Sequence, residues 1–251
     1  MSLRSNLENA PRYAVVIPVC DEEECIGAVL DELATNLPLN REITVAVGLN
    51  DISDRSGEIA RDRPGVVVGE TDVRGYGDGC QAAIEAVIAA GIEVDAWIFY
   101  AGDGASDPDD LPALIAAFED GAEFVHGTRT MTLRNWRRPM RRIAANLVLG
   151  AWTSLLCGEL FLDLGPYRVI GRGLYERMGQ REFNWGWTIE SQILAARLGA
   201  KIAHVPVDER RRIAGEQKVS GVSMRQTLKI GWEIARVGLR VACRRLTNPP
   251  L

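Results

Sequence analysis

The sequence predicts an α/β fold: a mostly parallel central sheet flanked by helices, with an elaborated C-terminal half. Three observations carry this. Five short β-rich runs, 13–18, 43–49, 66–69, 96–101 and 123–126, alternate with helix-period segments through the first half, the pattern of βαβ units. Two of these runs end in carboxylates where the chain turns, which in an open α/β sheet is the ligand crevice. With 251 residues, 47% of them hydrophobic, the chain is long enough to bury one sizeable core.

The first run ends in Pro18-Val19-Cys20-Asp21-Glu22-Glu23, ahead of a helix over 24–36. These acids either favour the positive end of the helix dipole or line the crevice. The second run ends in Asn50-Asp51-Ile52-Ser53-Asp54. Asn and Asp there either read a nucleobase edge or form a turn that caps a helix over 56–62. After the third run, Arg74-Gly75-Tyr76-Gly77-Asp78-Gly79 opens a helix over 76–90. Three glycines in five residues allow close backbone approach to a ligand. The spacing differs from the dinucleotide fingerprint, and the segment follows no first strand.

The fourth run, 96–101, breaks into Gly102-Asp103-Gly104 and then Asp107-Pro108-Asp109-Asp110 before a helix over 111–118. Capping accounts for Asp107, Asp109 and Asp110. It does not account for Asp103, four residues too early to cap, and a carboxylate at a strand end can hold a divalent cation against a phosphate. The second half reads as an arginine-rich loop (134–142), a long apolar helix to about 156, a strand near 163–170, a helix over 187–198 and a strand over 201–207. A last helix, 224–245, carries Lys229, Glu233, Arg236, Arg240 and Arg244 on one face and Ile230, Ile234, Val237, Val241 and Ala242 on the other. A basic amphipathic helix of this kind either packs on its own domain or a second subunit, or lies on an anionic membrane surface.

A net charge of −5 with ordinary composition argues against nucleic acid as a partner. Five cysteines without a CxxC pair suit reduced thiols and argue against a zinc site. The first residues lack an apolar leader and no run approaches the roughly 20 apolar residues of a membrane span. This reading expects a cytoplasmic protein, with peripheral contact to a membrane as an option.

The ordered motifs Pro18-x-x-Asp21-Glu22, Asn50-Asp51-x-Ser53-Asp54, Arg74-Gly75-Tyr76-Gly77 and Asp103-Gly104-x-x-Asp107-Pro108 resemble the family-2 glycosyltransferases of GT-A fold. The later motifs Gly127-Thr128-Arg129, Asp163 to Arg168, Gly186 to Glu190 and Arg212 to Gly221 are similar to the dolichyl-phosphate-mannose-synthase-like branch. The resemblance covers about residues 12 to 221. It implies one GT-A glycosyltransferase domain over 1–221, Rossmann-like in its sheet, with 222–251 as a C-terminal amphipathic helix.

It also implies an inverting transfer of a sugar from a nucleotide-diphosphate donor to a phosphorylated or lipid-linked, polyprenyl-phosphate-like acceptor, with Mg2+ or Mn2+ as cofactor. Pro18, Cys20 and Glu22 would line the nucleoside pocket, with Asn50 or Asp51 near the base or ribose and Arg74-Gly75 beside them. Asp103 would face metal and diphosphate, and Arg129, Arg212 and Lys218 would meet phosphates. Preorganised arginines suit the charge that develops on a leaving diphosphate.

The sequence departs from the family at three places. Asp21 stands where Asn is usual, the loop 50–56 is one residue short, and the usual Asp-x-Asp reads Ala101-Gly102-Asp103 with Ala105 following. These departures admit a second reading, a weak or inactive nucleotide-sugar-binding protein on the same fold; either reading admits a homo-oligomer. A sugar-nucleotide pyrophosphorylase is a third, disfavoured because the glycine-rich segment comes after the third strand. For a hydroxyl acceptor the candidate general bases are Glu190 and Asp163; an ionised phosphate acceptor needs none. Glu190 can equally be an ion-pair partner on its helix.

Overall fold

The computed structural model describes residues 10–132, 135, 140–215 and 224–245. Along the chain the elements are β1 (Arg12–Val19), α1 (Ile26–Asn36), β2 (Glu42–Asn50), α2 (Ser56–Arg61), β3 (Val66–Thr71), α3 (Tyr76–Ala89), β4 (Ala96–Phe99), α4 (Leu111–Glu119) and β5 (Phe124–Thr128). They continue with α5 (Met140–Cys157), β6 (Arg168–Gly171), α6 (Arg172–Met178), α7 (Trp187–Arg197), β7 (Ile202–Pro206) and α8 (Met224–Cys243). The seven strands lie in the order β3-β2-β1-β4-β6-β5-β7. All pairs are parallel except those of β6, which runs antiparallel to β4 and β5.

β1 is the axis of the sheet because its sequence is apolar on both faces, as a strand covered by helices on each side must be. Tyr13, Val15, Ile17 and Val19 enter the core beneath α1 and α4, while Ala14 and Val16 enter the one beneath α3 and α7. From β1 the chain winds outward through β2 and β3, then returns to place β4 on the other side. That reversal between β1 and β4 is the topological switch point, where the strand ends splay and a crevice opens.

Glycines set how closely α3 sits on the sheet. A Cβ at Gly48 would lie 1.7 Å from the Gly79 carbonyl oxygen, and one at Gly69 would lie 2.0 Å from that of Ala82. Gly77 likewise faces the Trp187 ring at a distance that no side chain could share. The glycine-rich run expected to cradle a ligand is therefore largely spent on packing.

Two further expectations change. The strand placed near 163–170 begins only at Arg168, because Asp163 to Gly165 are drawn into a buried polar network before the chain can pair. A short helix, α6, stands where none was anticipated, ending at Gly179 in the left-handed region (φ 50). α8 packs its apolar side onto the domain: Val237 and Val241 are buried in the same core as Trp97 and Trp187. Among the described residues no helix is long and apolar enough to cross a membrane.

Candidate active site

The carboxyl ends of β1 and β2 are locked to each other by their own acids. Asp21, at φ 53, accepts from the Ser53 amide (2.6 Å) and hydroxyl (3.2 Å). The Glu22 amide donates to Ser56 Oγ (2.7 Å), the Glu23 amide to Asp54 (3.0 Å), and the Arg55 amide back to Glu23 (3.1 Å). Asp21 and Asp51 (φ 47) both hold the left-handed conformation, which Asn and Asp tolerate best among residues with a side chain. Asp21 thus does what Asn would do there: it turns the chain and accepts a hydrogen bond.

Asn50 is buried and fully used. Its Nδ2 donates to the Val19 carbonyl (2.8 Å) and its Oδ1 accepts from the Gly75 amide (3.2 Å). It joins β1, β2 and α3, so each end of its amide has a backbone partner. Asp51 is exposed instead, 3.5 Å from Arg74 and with its carbonyl near the Cys20 thiol. Pro18, Cys20, Asp51 and Arg74 share this rim of the crevice.

At the switch point the Arg212 guanidinium lies between two carboxylates. It pairs with Glu22 and stands 3.5 Å from Asp103. Burial works against the Arg212 charge, but Glu22 and then Asp103 outweigh it and the pKa is raised. Asp103 Oδ1 is committed to the Ala105 amide (3.0 Å), leaving Oδ2 toward Arg212. Gly102 permits the approach, since a Cβ there would lie 3.0 Å from the Pro18 carbonyl oxygen.

Arg212 is delivered by residues 207–215, a strap drawn across the carboxyl edge of the sheet. Backbone amides of Val207, Arg210 and Ile213 donate to Thr128, Ala105 and Asp103, and Arg210 forms a two-pronged pair with Glu32 on α1 (2.5 and 2.7 Å). Ile213 closes over Gly104, whose φ of +77 and missing side chain make room for it. The sequence reading assigns no site role to Glu209 and Asn135. Asn135 accepts from the Glu209 amide and donates to the carbonyls of Arg129 and Val207. The signal that could have found the strap is a dense run of charge directly after the last strand.

Arg129, just past β5, is held by Asp163 through its amide (2.9 Å) and Nε (3.2 Å), and its Nη1 is 3.6 Å from Glu209. Asp163 is fully buried; burial pushes its carboxyl up, but Arg129 and then His126 more than reverse this and hold it below the usual range. His126 is kept neutral by burial, which lowers its pKa to about 3, and His204 sits beside the same network. Glu190 is also fully buried. Its Oε2 accepts from the amides of Arg181 (2.9 Å) and Glu182 (2.8 Å), and its Oε1 pairs with Arg244, just past the end of α8 (3.0 Å). Neither candidate base is poised to take a proton from a ligand: Asp163 orients Arg129, and Glu190 ties α8 to α7. Lys218 lies outside the described residues.

Among the described residues no group of three or more His, Cys, Asp or Glu side chains could cage a metal ion. What the donor set fits is an ion held by Asp103 Oδ2 and completed by phosphate oxygens and waters, as magnesium usually is.

The family model for glycosyl transferase family 2 matches residues 14–196. The chain belongs to that family. Among the family's curated members, an uncharacterized glycosyltransferase of Mycobacterium tuberculosis is 30% identical over 82% of this chain and 89% of its own. The polyprenol monophosphomannose synthase of Mycolicibacterium smegmatis is 25% identical (91% and 88% covered), and the undecaprenyl-phosphate mannosyltransferase of Micrococcus luteus 26% (84% and 88%). The glucosyl-3-phosphoglycerate synthase of Mycobacterium tuberculosis, crystallised with Mn2+, uridine diphosphate and phosphoglyceric acid, superposes with a TM-score of 0.67 at 20% identity, covering 96% of this chain and 81% of that one. The fold is thus GT-A.

Proposed function

We propose that this glycosyltransferase moves a sugar, with inversion, from a nucleotide-diphosphate donor to a phosphate-bearing acceptor of the polyprenyl-phosphate kind. The observation that carries the reading is the Arg212 guanidinium held between Glu22 and Asp103 at the switch point. A diphosphate entering there finds a preorganised cation, and donors in place before charge develops stabilise the leaving group without reorganisation. Cys20, Asp51 and Arg74 form the rim on the nucleoside side. A divalent ion on Asp103 would supply further positive charge to the diphosphate oxygens.

The burial of Asp163 and Glu190 favours an acceptor that needs no base. A phosphate monoester has a second pKa of about 6 and is already ionised near neutrality, so its oxygen can attack the anomeric carbon as the bond to the diphosphate breaks. Arg129, oriented by Asp163 and Glu209, supplies a guanidinium fork suited to such a phosphate. The names of the mannosyltransferase relatives support the same acceptor class.

The test is to screen uridine and guanosine diphosphate sugars for thermal stabilisation with and without Mn2+, then to assay transfer to a short polyprenyl phosphate. Asp103→Ala is expected to remove the metal-linked gain in nucleotide affinity and to lower transfer about 10²-fold or more. Donor binding without transfer or hydrolysis would instead establish the second reading, a nucleotide-sugar-binding protein, which Ala101, Ala105 and the single available oxygen of Asp103 motivate.

A further inference from the structure

We infer that Arg168, buried behind the crevice and out of reach of a ligand, supplies positive potential that favours a nucleotide diphosphate in front of it; this rests on the donor site proposed above. Arg168 is the first residue of β6, its side chain is completely buried, and Nε, Nη1 and Nη2 have no hydrogen-bond partner among the described residues. A guanidinium does not give up its proton in a protein, and a buried charge without a partner works against the fold. A local rule broken in this way marks a functional position.

Nothing around the guanidinium cancels its charge. Its neighbours are Tyr76, Cys80 and Tyr175, with no carboxylate among them. Burial pushes the Cys80 thiol up to about 12, even with Arg168 beside it, and raises the Tyr76 and Tyr175 hydroxyls further, so all three stay neutral. His126, opposite Arg168 on β5, is neutral as well. The buried carboxylates of this half, Asp163 and Glu190, are taken by Arg129 and Arg244. The Phe99 ring, whose centroid is 4.9 Å from Arg168 Cζ, attracts the cation without neutralising it.

The fold aims this charge at the crevice. Because β6 is antiparallel to β4, Arg168 stands opposite Phe99, the last residue of β4. From there its side chain crosses the Phe99 ring toward Tyr76 and Cys80 in the first turns of α3, the helix that meets Pro18 and Gly48 through Gly79. The guanidinium therefore lies in the layer behind the β1–β4 switch point. Tyr76 is the first residue of α3, and the amino end of a helix is itself positive. These two positive features repel each other, and an anion in front of both relieves them. A charge in a low-dielectric interior acts over a longer range than one in water, and a cleft with such walls focuses its field.

The experiment compares the natural protein with Arg168→Met, uncharged, and Arg168→Lys, which keeps the charge. The ligand-free readout is alkylation of Cys20 at the crevice rim, followed against pH and resolved by peptide mass spectrometry, with exposed Cys243 as the control. A thiol reacts as its thiolate, so loss of the Arg168 charge is expected to slow Cys20 near neutral pH by about threefold or more, leaving Cys243 unchanged and Arg168→Lys close to the natural protein. Calorimetry is expected to show uridine or guanosine diphosphate bound about tenfold more weakly by Arg168→Met, with the corresponding nucleoside changed less than about twofold, and the denaturant midpoint is expected not to fall. Unchanged Cys20 reactivity, equal losses for nucleoside and diphosphate, or a lowered midpoint would overturn the proposal. Should Arg168→Met not fold, Arg168→Gln is read by the same measures, and failure of both assigns the charge to the fold and overturns it too. Absence of diphosphate binding to the natural chain is the failure of the donor reading; Cys20 is measured without any ligand, so the two failures are told apart.

Discussion

The two buried carboxylates, Asp163 and Glu190, show how one residue type reads differently once its surroundings are known. Glu190 accepts two backbone amides and pairs with Arg244. Removing one charge from a buried pair leaves the other uncompensated. Glu190→Gln is therefore expected to lower stability by about 2 kcal/mol while leaving kcat within a few-fold, where loss of a general base would cost about 10² or more. Chemical denaturation and steady-state kinetics on the same preparation separate the two.

Asp110 carries a pH signature. Burial lifts its carboxyl from 3.8 to about 6, against the Asp208 amide that it accepts at 2.7 Å. The folded chain therefore keeps a proton that the unfolded chain releases between these values, so this group's contribution to stability falls as pH rises through about 4 to 6 and is constant above. Asp110 is partly solvated, so the effect is about 1 kcal/mol after screening. Asp110→Asn, which keeps the acceptor oxygen, is expected to match the natural protein below pH 4 and to be the more stable at pH 7, as denaturant midpoints across that range would show.

Among the elements, the β1–β5 half was legible because each strand is a short apolar run closed by turn residues, and that pattern has few alternative explanations. The C-terminal half was less so. Asp163 to Gly165 look like the start of a strand, yet a carboxylate that binds Arg129 and a carbonyl that accepts from Gln192 take them out of the sheet. α6 is only seven residues long, too short for periodicity to declare it, although Gly179 as a left-handed cap was visible. In Gly75-Tyr76-Gly77-Asp78-Gly79 the need for small residues was evident, but not what approaches them; the answer is Phe183, Trp187, Asn50 and Pro18. If these glycines serve helix-on-sheet packing, Gly48→Ala must push α3 outward, since its Cβ would overlap the Gly79 carbonyl. Overpacking of this kind costs about 1–3 kcal/mol or more, and the melting temperature is expected to fall by at least 2 °C, at about 2–4 °C per kcal/mol for a chain of this size.

At the scale of the whole molecule, the sheet has two ends with different tasks. The amino ends of the strands carry surface ion pairs such as Arg12–Glu93, whereas the carboxyl ends gather Glu22, Asp103, Arg129, Arg212 and the strap. Sequence order could place the strand ends together, because a parallel sheet brings them to one edge. It could not say which acids would be spent on holding loops and which would face a ligand, because that depends on partners more than 30 residues away, as Asp21 with Ser53 and Arg212 with Glu22 show. The division predicts where a donor acts. A ligand that binds only the native state stabilises most the segments it touches, and the strap is held largely by partly solvated pairs, the kind of region that opens locally. Hydrogen exchange with a nucleotide-diphosphate sugar is therefore expected to protect residues 18–22, 51–54, 101–106 and 207–215 and to leave α5, α8 and the amino edge unchanged. Protection confined to the glycine-rich start of α3, or spread evenly over the sheet, would place the donor elsewhere and remove Arg212 and Asp103 from the site.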